Sequence, residues 1–224
     1  MTPELEEYIA RHIDAEPEHL HRLQRHIYLR LINPRMSSGH LQGRLLKMLV
    51  RMIRPRRILE LGTYGGYAAQ CLAEGLSGDA FIDTIEIFDE LEDFISEHLA
   101  ESPVGDRVRV HFGDAAEVLR RPGMTGYDLV FIDANKRSYC DYYEMVFPLV
   151  RDGGFIIADN TLWDGHVVEE AYRHDAQTAA LLRFNDMVAA DERVEKVILP
   201  VRDGLTLIYK LPASTESADK ALKR

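Results

Sequence analysis

The sequence predicts an α/β fold: a doubly wound, mostly parallel sheet with helices on both faces, preceded by helices and closed by an antiparallel pair. Three observations predict it. From residue 57 onward, short apolar runs alternate with stretches of helical spacing, the pattern of a parallel sheet built from βαβ units. Two of those runs, Leu129-Val130-Phe131-Ile132 and Phe155-Ile156-Ile157-Ala158, contain no polar residue, as central strands covered on both faces require. Near the C-terminus two strand-like runs flank Asp203-Gly204, which is a hairpin signal.

Each element follows from local pattern. Apolar residues at Leu20, Leu23, Ile27 and Leu31 recur at helical spacing. Asn33-Pro34 ends that helix, because proline breaks the hydrogen-bond ladder and restricts the residue before it. A second helix is expected over residues 41–53, with Leu45, Leu46, Leu49, Val50 and Ile53 on its apolar side and Arg54-Pro55-Arg56 closing it. Strands are expected at 58–61, 81–85, 108–112, 129–132 and 155–158, separated by helical stretches at 67–76, 89–99, 115–119 and 139–150. A long helix over 178–191 leads into the hairpin strands 194–199 and 205–209. The expected organisation is one domain, with a helical region 1–54, an α/β core 55–211, and a polar, fraying tail 212–224.

Composition narrows the function classes. Among 224 residues, 46% are hydrophobic and 29% charged, the balance of a globular chain. Lys and Arg number 27 against 37 Asp and Glu, a formal net charge of −10, which disfavours a broad electrostatic grip on nucleic acid. No run approaches the ~18–20 apolar residues of a membrane helix, and the acidic first residues lack a signal core. Cys71 and Cys140 read as two reduced thiols, and the expected location is the cytoplasm.

The residues that carry chemistry lie where strands end. The first strand runs into Gly62-Thr63-Tyr64-Gly65-Gly66, a turn that lets a ligand approach the backbone next to a helix N-terminus. It is not Gly-x-Gly-x-x-Gly, so the dinucleotide fingerprint is not met. Glu86 ends the second strand, where an acid suits a ribose diol, or simply faces water. Asp114 follows the third strand and suits either a ligand or a helix N-cap. Asp133 and Asp159-Asn160 follow the two wholly apolar strands. If those strands are neighbours, three oxygen donors converge, a set for Mg²⁺, with Mn²⁺ or Ca²⁺ as alternatives. Lys136, three residues after Asp133, would have a lowered pKa beside such a cation and accept a proton, or is simply an exposed loop lysine. Trp163 suits either a wall for a flat substrate, the favoured reading, or a place in the core.

Glu60-Leu61-Gly62-Thr63-Tyr64-Gly65-Gly66-Tyr67, Thr84-Ile85-Glu86, Asp133-Ala134-Asn135-Lys136 with Tyr139 and Tyr142-Tyr143-Glu144, Ala158-Asp159-Asn160, Leu162-Trp163 and Asp203-Gly204-Leu205-Thr206 together resemble the cation-dependent S-adenosylmethionine O-methyltransferases. The likeness is to the caffeoyl-coenzyme A type and, more distantly, to the catechol O-methyltransferases. It spans residues 36–209. The resemblance implies a Rossmann-like, seven-stranded sheet with a reversed last strand, and a homodimer. It implies that Glu86 binds the cofactor's ribose hydroxyls, that Glu60, Gly62, Tyr64, Gly66 and Ala68 shape its methionine side, and that Asp114 and Ala115 meet the adenine. Met36 and Ser38 would cover the sulfonium, with Met36, Lys136 and Trp163 toward the acceptor. Asp133, Asp159 and Asn160 would hold the cation, Asp133 also lying against the cofactor. Many relatives carry an aspartate at the position of Asn135 and a serine at that of Ala68, so one charge near the metal and one cofactor contact are absent here.

The expected reaction is methyl transfer from S-adenosylmethionine to a hydroxyl of a catechol-like or caffeoyl-type small molecule. A less favoured acceptor is a hydroxylated uridine in tRNA, for which Arg35, Arg54, Arg56, Arg57 and Arg137 would supply phosphate contacts. The readings from other classes are an NAD-dependent oxidoreductase, against which the missing fingerprint counts, and a non-catalytic nucleotide-binding module. No membrane partner is expected.

Overall fold

The computed structural model describes residues 2–213, so all but two residues of the expected tail lie outside the described residues. The chain forms two compact units, Met1–Arg120 and Arg121–Arg224.

The first unit opens with three helices, α1 (Pro3–His12), α2 (Glu18–Arg30) and α3 (Gly39–Ile53). The stripe Leu20, Leu23 and Ile27 on α2 is fully buried and packs with Tyr67, Cys71 and Phe94. Asn33 takes the left-handed conformation ahead of Pro34, turning the chain. Helix α1 is additional to the expected elements. Thr2 caps its N-terminus and acids sit in its first turn, bases in its last, but none of its described side chains is fully buried. Its stability is local, so it leaves no apolar stripe to read. Strands β1 (Arg57–Leu61), β2 (Phe81–Glu86) and β3 (Val108–Phe112) are parallel, in the order β3-β2-β1. Helices α4 (Tyr67–Ala73), α5 (Glu92–Ala100) and α6 (Ala115–Val118) follow them in turn.

The second unit begins with β4 (Tyr127–Ile132), α7 (Tyr139–Val146) and β5 (Val150–Asp159). Helix α7 stops four residues earlier than expected, at a 3-10 turn over Phe147–Leu149 that carries Pro148. Strands β4 and β5 are parallel neighbours, with Ile132 opposite Ala158. The side chains of Leu129, Val130, Phe131 and Ile132 are fully buried, as their unbroken apolar run requires. Helix α8 (Ala176–Ala190) is capped by Asp175, whose carboxylate accepts from Gln177 N and Thr178 N. Strands β6 (Val194–Leu199) and β7 (Leu205–Lys210) form the expected hairpin. β7 is the reversed strand, antiparallel to both β5 and β6. The seven strands run in the order β3-β2-β1-β4-β5-β7-β6, a mostly parallel sheet with one antiparallel strand, as expected.

Candidate active site

In the first unit the glycine turn is built around Glu86. The chain leaves β1 with Gly62 at φ 99° and Gly62 N donating to Ile85 O. Tyr64, also at positive φ, donates its N–H to Glu86 Oε2 at 2.7 Å, and Phe88 N donates to Glu86 Oε1 at 3.0 Å. Both oxygens of this 4% exposed carboxylate are therefore oriented by backbone, with further lone pairs to accept from hydroxyls. Gly66, at φ 79°, caps α4, a geometry that favours glycine. Gly65 serves packing: a Cβ there would come within 2.7 Å of Ile27 Cδ1. Beneath the turn, Thr63 and Thr84 hydroxyls lie 2.6 Å apart and Thr84 donates to the fully buried Glu60 carboxylate. This chain of buried polar groups fixes the strand ends below the turn. Ala68 is buried in α4. Asp114 is the N-cap of α6, accepting from Ala116 N at 2.8 Å, and Ala115 begins that helix. The N-cap alternative for Asp114 is thus realised. Met36 is 59% exposed at the turn before α3, and Ser38 is buried at its start.

In the second unit the paired ends of β4 and β5 carry Asp133 and Asp159-Asn160. Because Ile132 and Ala158 are register partners, the two aspartates follow at the same end of neighbouring strands. Lys136 Nζ donates to Asp133 Oδ1 at 2.8 Å and to Tyr139 OH at 3.0 Å. Tyr139, fully buried, donates in turn toward Asp159 O at 2.9 Å and Ile132 O at 3.3 Å. One phenol therefore ties both strand ends to the lysine. Asp159 is 3% exposed and its Oδ1 accepts from Asn160 N at 2.7 Å. Asn160, at φ 58°, donates Nδ2 to Asp203 Oδ2 at 3.3 Å. Its amide nitrogen is thereby committed, which leaves its oxygen as an acceptor with free lone pairs.

The hairpin turn supports this edge from behind. Leu162 N and Trp163 N both donate to Asp203 O, and Thr161 N donates to Gly204 O. A Cβ on Gly204 would lie 2.4 Å from Leu162 Cγ, so the turn requires glycine there. Trp163 is half-buried, in a positive-φ pair with Asp164. In the sequence Tyr139 stands out only as part of the quoted motif and Asp203 only as a hairpin residue, because their partners Asp159 O and Asn160 are brought close by strand register.

The electrostatics depend on what faces Lys136. Burial alone would lower its pKa, but Asp133, Tyr139 and Asp159 outweigh burial and raise it. The ammonium is thus the resting form when Asp133 is its counterion, the reverse of the direction expected beside a bound cation. Burial pushes the Tyr139 phenol up, keeping it neutral. The donor set, two carboxylates and one amide, fits a hard divalent cation and not a thiophilic one. Elsewhere, Arg56 pairs with Asp79 at 3.4 Å and Arg57 with Asp83 at 3.2 Å, so part of the basic run is already neutralised. Both cysteines are free thiols. No helix among the described residues is long and apolar enough to cross a membrane.

The chain matches the O-methyltransferase family model over residues 10–211. It is 34% identical over 189 residues to caffeoyl-CoA O-methyltransferase 2 of Zea mays, covering 79% of this chain and 70% of that one. The caffeoyl-CoA O-methyltransferase of Petroselinum crispum is 32% identical, covering 79% and 77%. Among solved structures, the O-methyltransferase TomG from Streptomyces achromogenes, in complex with S-adenosylmethionine, is 31% identical with a TM-score of 0.83, covering 95% of this chain and all of that one. An O-methyltransferase from Bacillus cereus, in complex with S-adenosylhomocysteine, is 27% identical with a TM-score of 0.84, covering 92% and 97%. The glycine turn, the oriented acid at the end of β2 and these likenesses agree, and the chain belongs to the O-methyltransferase family as an S-adenosylmethionine-dependent enzyme.

Proposed function

We propose that this enzyme is divalent-cation-dependent and methylates one of two adjacent hydroxyls on a catechol-like or caffeoyl-type small molecule. The observation that carries the reading is the pair of strand ends where Asp133 and Asp159 follow register-paired residues, with Asn160 alongside and Lys136 on Asp133. The names of the caffeoyl-CoA relatives support the acceptor class. Asp133, Asp159 and Asn160 would hold the cation. When bound, it supplies positive charge that stabilises an acceptor oxyanion and orients it. A free phenol with a pKa near ~10 is scarcely ionised at neutral pH, which is why such charge is needed.

The chain's own residues do the rest. Glu86, with both oxygens aimed by Tyr64 and Phe88 N–H groups, accepts from the cofactor's ribose hydroxyls. The Gly62–Gly66 turn lets the methionine portion lie against backbone, and Trp163 would offer its ring face to a flat acceptor. Tyr139 holds the β4 and β5 ends and keeps Lys136 in place. As an ammonium, Lys136 stabilises an oxygen anion; to accept a proton it must first lose the Asp133 charge that keeps it protonated. Alignment for in-line displacement is worth ~7–11 kcal/mol in favourable cases, more than general base catalysis supplies.

The test is a screen with labelled S-adenosylmethionine against catechols, a caffeoyl thioester and tRNA bearing hydroxylated uridine, each with and without chelator. Chelator-sensitive labelling of the small molecules supports the assignment; labelling of the tRNA alone overturns the acceptor. We further assign the enzyme to the cytoplasm as a homodimer. Exposed apolar Leu29, Ile32, Met48 and Met52 on or beside the N-terminal helices support the dimer, and sedimentation measures it.

A further inference from the structure

Within the first unit, α2 and α5 bring together two imidazoles and a carboxylate to which the methyl-transfer reading gives no part. His26 Nδ1 lies 2.7 Å from His98 Nε2, and His98 Nδ1 lies 2.8 Å from the carbonyl oxygen of Phe94. Ligand atoms of His26, Glu97 and His98 all fall within 4.8 Å of one another. Among the described residues no other three His, Cys, Asp or Glu side chains converge in this way.

The hydrogen bonds assign the protons. A carbonyl only accepts, so His98 Nδ1 carries the hydrogen and His98 Nε2 presents a lone pair. A carbonyl behind one ring nitrogen is the arrangement that fixes the tautomer of metal-binding histidines and raises their basicity. His98 is 5% exposed, and its ring is held against Phe94 at 4.3 Å between centroids. His26 is half-buried and Glu97 is exposed, which leaves an entry path from solvent. Arg30 Nη1 donates to Glu97 Oε2 at 2.8 Å and so orients the carboxylate.

We propose that His26, His98 and Glu97 form a second cation site, specific for a borderline-soft divalent ion such as Zn²⁺ and distinct from the oxygen-donor site at Asp133 and Asp159. Two imidazoles with one carboxylate make a three-ligand zinc set with a fourth position open to water. Mg²⁺ prefers an all-oxygen octahedron and does not compete well for such nitrogens. Tetrahedral Zn–N bonds of ~2.0–2.1 Å place two ligating nitrogens about 3.3 Å apart. The rings must therefore separate by roughly 0.6 Å from their hydrogen-bonded spacing, and the less buried His26 is the one that moves. As the metal takes His26 Nδ1, that proton is given up to solvent and the ring takes one up at Nε2, so His26 binds as a neutral imidazole. Bound metal cross-links α2 to α5, the helix that follows the Glu86 strand, so occupancy raises stability as well as consuming metal.

The experiment titrates Zn²⁺ into the full-length protein in excess Mg²⁺, against a chromogenic chelator, with Co²⁺ absorption as the probe of geometry. Wild type, Asp159→Ala, His26→Gln and Glu97→Gln are compared, with circular dichroism confirming that each folds. Wild type and Asp159→Ala are expected to bind one tight Zn²⁺, to show tetrahedral Co²⁺ bands and to unfold at higher temperature with Zn²⁺ than without. His26→Gln is expected to bind at least tenfold more weakly and to lose those bands, with a smaller loss for Glu97→Gln. Tight zinc and unchanged bands in His26→Gln overturn the proposal. So does a tight site abolished by Asp159→Ala alone, which would leave the oxygen-donor reading standing and remove this one.

Discussion

Replacing Tyr139 by phenylalanine removes one oxygen and keeps the ring. The ring stays packed against Phe184, 5.4 Å between centroids, so no sizeable cavity opens. What is lost is the hydroxyl that accepts from Lys136 at 3.0 Å and donates to Asp159 O at 2.9 Å and Ile132 O at 3.3 Å. Stranding a buried acceptor costs about 1–3 kcal/mol. A central value of about 2 kcal/mol corresponds to a fall in Tm of about 4–8 °C for a chain of this size. Lys136 retains Asp133, so the ion pair survives while its position loosens. Thermal and urea unfolding of Tyr139→Phe without added cation measures the loss, and turnover at saturating Mg²⁺ is expected to fall as well. A stability change below about 0.5 kcal/mol, the range of an ordinary surface substitution, together with full turnover would refute the claim that this phenol holds the two strand ends.

Lys136→Ala is expected to lower turnover by roughly 10²–10⁴-fold, the range of a lost acid–base or electrostatic group, while Mg²⁺ binding is retained; single-turnover kinetics with a Mg²⁺ titration checks both. Glu86→Gln is expected to weaken S-adenosylmethionine binding by about 10–100-fold, because hydrogen bonds to a charged acceptor are worth ~1.5–3 kcal/mol, with no change in cation affinity by calorimetry. Asp191 accepts from Tyr143 OH at 2.8 Å and Arg193 Nη2 at 2.7 Å. The Arg193 hydrogen bonds hold its carboxyl far below the usual range, burial notwithstanding. A depressed acid stabilises the fold above its unfolded value and loses that contribution as pH falls. The stability gap between wild type and Asp191→Asn should therefore be constant from pH 7 to 5, about 1–2 kcal/mol given the exposure of Arg193, and shrink below about pH 4. A gap that persists unchanged at pH 3 would contradict the assignment.

The strands were legible because burial on both faces leaves an unambiguous mark: Leu129 to Ile132 admits no polar residue. Helix α1 was not, since caps and exposed charges hold it and no apolar stripe records it. Asp133 and Asp159 could be singled out because each directly follows such a strand. The role of Tyr139 could not, because it depends on two carbonyls that only the β4–β5 register brings within reach of one hydroxyl. Asn160 and Asp203, 43 residues apart, meet for the same reason, through β7 returning beside β5. One part of the glycine turn could not be read locally: the missing side chain of Gly65 makes room for Ile27 from α2, a contact no local spacing encodes. The basic run at Arg54–Arg57 likewise hid its partners, Asp79 and Asp83, which lie on the next strand and its approach.

In the proposed function an oxygen-donor cation site at the ends of β4 and β5 activates the acceptor. That role is tested most directly by methyl transfer to a catechol acceptor as a function of free Mg²⁺, after exhaustive chelation, in wild type and Asp159→Ala. Turnover in wild type should fall to background without cation and return with Mg²⁺, while Asp159→Ala binds S-adenosylmethionine normally and stays inactive at every Mg²⁺ concentration that restores wild type. Undiminished transfer by chelated wild type, or by Asp159→Ala, would contradict it.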